Sequence, residues 1–341
     1  MNKQIIEALD RTVDTNNYLK KAEANSLDYL SNFEKVHELY LNHFPSEVVL
    51  WLRDKMLLNT HPFDEKQFIQ FASEATIVEF FTKRYPSHAE IEKKINPNNQ
   101  KDVDLVFSHK DFTFNIEVKC SDFVEKERIQ ANDSLKVQTI GRLPGLKETM
   151  ADLNPILEEV AKKLNLDGGV EMARNMDNNL KDFLKSADEK FNPNSTDKEL
   201  NILAVSCDDS EDMQLWYYYM FKDAGLFTSE SFYPKSNFEN VDLVLLNNLY
   251  FKHNDYESKN ISNPWEFENT FNLMFKNPNA KQPKEEAIQE FLKICPNYNT
   301  QFKDWDISGV ADEEVKDSRR IADFIKAELE EKLKIYHYER P

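Results

Sequence analysis

The chain has 341 residues, of which 43 are Lys or Arg and 61 are Asp or Glu, giving a formal net charge of −18. With 40% apolar and 12% aromatic residues it has a globular composition and enough length for a substantial core, which excludes long disorder. Its six glycines supply no GxGxxG, GxxxxGKS/T or GxSxG, so a Rossmann dinucleotide site, a P-loop NTPase and an α/β-hydrolase elbow are set aside.

In chain order, residues 1–60 read as helices, with Leu27, Leu30, Phe33, Val36, Leu39 and Tyr40 at spacings of three and four. Residues 64–85 form a stronger helix, with an apolar stripe of Phe68, Phe71, Ala72, Ala75, Val78 and Phe81 that Pro86 closes. Two strands follow at 103–108 and 112–120, joined by a short polar turn. In the second, Phe112, Phe114, Ile116 and Val118 alternate with Thr113, Asn115, Glu117 and Lys119. The polar stretch 121–145 reads as loops and 146–164 as a helix. Residues 165–200 read as an insertion around a helix. Strands are expected at 201–207 and 241–247 with a helix at 212–222 between them, and the chain from Trp265 onward reads as mostly helical. The expected fold is therefore α/β, a mixed sheet flanked by helices. Residues 61–250 would form the core, 1–60 a helical N-terminal segment and 251–341 a helical C-terminal one.

Cys120, Cys207 and Cys295 are widely spaced and form no CxxC, which suits a reducing compartment. The first twelve residues carry charge and lack an apolar signal core, and no apolar run would span a bilayer. A cytoplasmic protein without a membrane partner is expected. The seven histidines form no HExxH or HxH, which argues against a zinc site.

The acidic charge is unevenly spread. Residues 74–147 hold 12 basic and 12 acidic residues, leaving 31 basic and 49 acidic elsewhere. The whole excess therefore lies outside the one segment that carries a chemical signature. In that segment Asp104, Glu117 and Lys119 gather at one end of the hairpin. A turn near His109–Lys110 would pair Asp104 with Asn115 and leave Glu117 just beyond. Paired carboxylates near a strand end perturb each other's titration or hold a divalent cation. Asp104 and Glu117 would ligate Mg²⁺ (Mn²⁺ as a substitute), the Val118 carbonyl would add an oxygen, and Lys119 would orient water or stabilise charge. The bland reading is a salt-bridged surface hairpin. Lys126, Arg128, Lys136 and Arg142 are candidates for phosphate contacts, Gln138 for a further site residue. Trp216 to Tyr219 read first as helix packing and second as base stacking.

The stretch KDVDLVFSHKDFTFNIEVKCSDF, with SEATIVEFF upstream, resembles the PD-(D/E)XK phosphodiesterase superfamily, the restriction-endonuclease-like fold. The resemblance covers roughly residues 64–247. It places the family's two acids and lysine on Asp104, Glu117 and Lys119, and its first-helix glutamate best on Glu74, with Glu79 as the rival. Val103 stands where the family often has proline. The resemblance implies a Mg²⁺-dependent nuclease acting on DNA, an endonuclease of the restriction or phage-defence kind. It leaves RNA as an alternative substrate and a non-catalytic binding module as the alternative role. Two-strand cutting would call for a homodimer, and the helical flanks for a protein partner.

Overall fold

The computed structural model describes residues 2–139, 145–173, 175–259, 261, 263–306 and 313–338. The N-terminal helices are α1 (Lys3–Arg11), α2 (Tyr18–Asn25), α3 (Leu27–His43) and α4 (Val48–Leu50), the last running into a π-helical turn, Trp51–Lys55. The expected long helix is α5 (Glu65–Arg84), with the Asp64 side chain accepting from Gln67 N at its start. Then come β1 (Glu90–Lys93), β2 (Val103–His109), β3 (Phe112–Cys120), α6 (Val124–Ala131), β4 (Leu135–Val137), α7 (Leu146–Lys163) and β5 (Val170–Met172). They are followed by α8 (Leu180–Lys190), β6 (Glu199–Ser206), α9 (Ser210–Phe221), β7 (Leu243–Asn247), α10 (Leu249–His253) and β8 (Asn272–Lys276). The C-terminal helices are α11 (Glu285–Ile294), α12 (Asn299–Asp304), α13 (Glu313–Ser318) and α14 (Arg320–Asp323), which leads into a π-helix, Phe324–Lys332.

Among the described residues, six strands form one mixed sheet in the order β1-β2-β3-β6-β7-β8. The central strands β3, β6 and β7 are parallel, while β1, β2 and β8 run antiparallel to their neighbours. β6 and β7 are almost wholly apolar because helices cover both of their faces. On one face Phe81 of α5 stacks on Phe107 at 4.5 Å, and Phe291 of α11 meets Phe114 at 5.3 Å. On the other, α8 and α9 lie together, with Phe183 stacked on Trp216 at 5.9 Å. The N-terminal helices dock through rings: Trp51 stacks on Tyr40 at 4.3 Å and on Phe33 at 5.5 Å.

Three expectations change. The hairpin closes on a two-residue turn, with His109 paired to Phe112, so the register runs two residues from the expected one. The stretch 121–145 contains α6 and β4 in place of continuous loop, and β4 pairs with β5 in a small parallel sheet. The C-terminal segment contributes β8 to the main sheet, so it is not wholly helical.

Candidate active site

Asn115 pairs with Val106 and Ile116 with Leu105, so the register carried one step further sets Asp104 opposite Glu117. Residues opposite one another in an antiparallel pair project to the same face. The ladder opens there, and Val118 N–H donates to Asp104 Oδ2 at 2.6 Å in place of a ladder bond. The Val118 carbonyl accepts from Gln70 Nε2 at 3.0 Å, which ties β3 to α5 at the same point. Gln70 and Glu74 lie four residues apart on α5 and so share its sheet-facing side.

Glu117 is fully buried. Lys119 and Lys190 Nζ approach its Oε1 at 2.7 and 2.6 Å, ion pairs by distance whose angles fall outside hydrogen-bond geometry, and Oε2 has no hydrogen-bond partner. Burial first, and the neighbouring Asp104 charge second, push its carboxyl up to about 7, while the two lysines pull it down. Glu74, also buried, is pushed up to about 7 by burial and by Asp104, against Lys55, whose Nζ sits 2.7 Å from its Oε1. Lys55 also meets Glu92 at 2.7 Å. Glu79 instead is half-buried and pairs with the exposed Lys83 at 3.5 Å, one turn further along α5. Of the two rivals, Glu74 is the one in the field of Asp104.

Sequence reasoning passed over Lys190, Lys55 and Gln70. Lys190 ends α8, and the loop before β2 holds that helix end in place. Asn96 and Asn99 Nδ2 donate to the Glu189 carbonyl at 2.8 and 2.7 Å, and Lys101 pairs with the Glu189 side chain. Gln70 had a usable signal, its i, i+4 spacing from Glu74.

The donor set suits a hard cation. It consists of carboxylate oxygens plus a carbonyl that keeps a lone pair beside its bond from Gln70. Glu117 Oε2 is a buried oxygen without a hydrogen-bond donor, and the Glu117 and Glu74 carboxyls are pushed up, first by burial and then by Asp104. The carboxylates of residues 74, 104 and 117 do not all close to within 4.8 Å of one another. Among the described residues, only Asp208, Asp209 and Asp212 form such a group.

That second cluster lies just past β6, where Lys126 fills it. Its ammonium pairs with Asp212, with Asp209 at 3.3 Å and with Asp208 at 3.5 Å. Lys126 is therefore turned inward, away from the phosphate contact expected of it. Lys136 is exposed, with Nζ donating to the Asn132 carbonyl at 2.6 Å, and Arg128 is exposed. Gln138 is exposed beside Asn175, and Arg142 lies outside the described residues. Trp216, Tyr218 and Tyr219 are buried in packing. All three cysteines are buried and free, and no described helix is long and apolar enough to cross a membrane. Comparison with family models, with curated proteins and with solved structures returned no match.

Proposed function

We propose that this chain is a divalent-metal-dependent phosphodiesterase acting on DNA, built on a PD-(D/E)XK core. The observation that carries the reading is the opposition of Asp104 and Glu117 across the open end of the hairpin, with Lys119 on the same face. Asp104, Glu117 and the Val118 carbonyl would hold Mg²⁺ or Mn²⁺. The cation, when bound, polarises a phosphoryl oxygen and lowers the pKa of water. Lys119 and Lys190 place two ammonium groups where negative charge grows on the phosphoryl group. Glu74, with a carboxyl near neutrality, is suited to accept a proton from the attacking water.

One observation favours a second reading, a nuclease-fold module that binds without cutting. Glu117 Oε1 already carries two lysines, and the three carboxylates do not converge as a compact cage. The test is incubation with plasmid, linear duplex, single-stranded DNA and single-stranded RNA, with and without Mg²⁺ or Mn²⁺. Cleavage of DNA that needs the metal and falls about 10²-fold or more in Lys119→Ala is expected. No cleavage of any substrate, or cleavage indifferent to Lys119→Ala, overturns the nuclease reading. Cleavage of RNA alone moves the substrate class.

A further inference from the structure

The helix α7 stands apart from the sheet and its chemistry. It is 18 residues long, yet among its described residues only Ala161 is fully buried. Pro155 sits in its interior, where it removes a backbone hydrogen bond, and Gly145 at its start offers no side-chain cap. A helix with these handicaps gains little stability from propensity and depends on packing an apolar face. Leu146, Met150, Leu157 and Ala161 form one half of that face and are the better covered half. The other half is in solvent: Leu153 is 42% exposed, Ile156 60%, Val160 38% and the C-cap residue Leu164 58%. Spacings of three and four put these four on one continuous strip.

The strip is nearly self-complementary when the helix is reversed. Turning α7 about a point between Ile156 and Leu157 sets Leu153 opposite Val160 and Thr149 opposite Leu164. Its rim follows the same symmetry. Glu148 and Asp152 flank the strip toward the N-terminus, and Lys163, which pairs with Glu159 of its own helix at 2.7 Å, flanks it toward the C-terminus. In the reversed copy Lys163 falls opposite position 150, between Glu148 and Asp152. An isologous contact needs this pattern, apolar facing apolar and acid facing base under one two-fold axis.

We propose that α7 pairs antiparallel with α7 of a second copy of this chain. The proposal does not rest on the nuclease reading. The strip is small beside the interfaces of permanent dimers, so association on the order of micromolar is expected. Sedimentation velocity of the full chain, from about 1 to about 200 μM, tests it. The 40.1 kDa monomer should shift toward twice that mass as concentration rises. Ile156→Glu, at a largely exposed position, should hold the chain monomeric with its circular dichroism unchanged. Lys163→Glu should weaken association, and adding Asp152→Lys should restore it. A chain monomeric throughout the range means that something other than a second copy covers α7, and overturns the proposal. A dimer that ignores Ile156→Glu, or a charge swap that restores nothing, also overturns it.

Discussion

A buried carboxylate with two ammonium groups at one oxygen and a second acid nearby has an unusual titration, and that gives residue 117 a measurable signature. In the unfolded chain Glu117 ionises near 4.5, and in the fold it is pushed up to about 7, chiefly by burial and then by Asp104. Between those values the folded chain holds a proton that the unfolded chain has released. The stability linked to that proton is complete below pH 4.5 and is lost as the pH rises through about 7. Urea unfolding across this window should show wild type losing on the order of 3 kcal/mol relative to Glu117→Gln. Parallel profiles would contradict the assignment. The strand residues of the site were legible because period-two alternation puts Glu117 and Lys119 on one face. Their partners were not, because Lys55 and Lys190 come from elements far away in sequence and carry no local pattern. The facing of Asp104 was misjudged because a polar turn does not reveal its own register.

At the scale of elements, α8 does more than fill an insertion. Leu180, Leu184 and Ala187 are buried at helical spacing, a pattern present in the sequence but masked by its Gly, Asn and Pro flanks. The helix delivers Lys190, so Lys190→Met should let the Glu117 carboxyl climb further. The acidic limb of the cleavage pH profile should then move up by about one unit, and Lys190→Arg should leave it in place. An unchanged limb in Lys190→Met would remove α8 from the site. The end of α9 is fixed by backbone crowding. A Cβ on Gly225 would lie 2.7 Å from the Lys222 and Tyr219 carbonyl oxygens and 2.8 Å from that of Met220. Gly225→Ala should cost about 1–3 kcal/mol in chemical denaturation. β1 and β8 escaped the sequence reading because each is short, four and five residues, and β1, EIEK, is mostly charged. Edge strands with solvent on one side need no apolar run.

At the scale of the whole molecule, one hydrophobic core among the described residues runs from Ile5 to Leu329, so the flanks expected at 1–60 and 251–341 share an interior with the sheet. The N-terminal segment also reaches the site. Lys55 pairs with Glu74, and buried Tyr40 titrates well above its ordinary range, first from burial and then from Glu74 and Asp104. Removing residues 265–341 would strip β8 from β7 and, by taking away Phe291, expose Phe81 and Phe114 on which it packs. That truncation should be insoluble, and a soluble, cooperatively unfolding product would refute the shared core. The α/β class and the central strands followed from alternation and apolar runs; the joining of the flanks did not, because only tertiary packing sets it.

Calorimetric titration of Mn²⁺ into the full chain at pH 8 bears most directly on whether residues 104 and 117 hold a cation. One ion per chain in wild type, lost in both Asp104→Asn and Glu117→Gln, is the predicted result. Equal binding in wild type and both variants, or no binding in wild type, would contradict it.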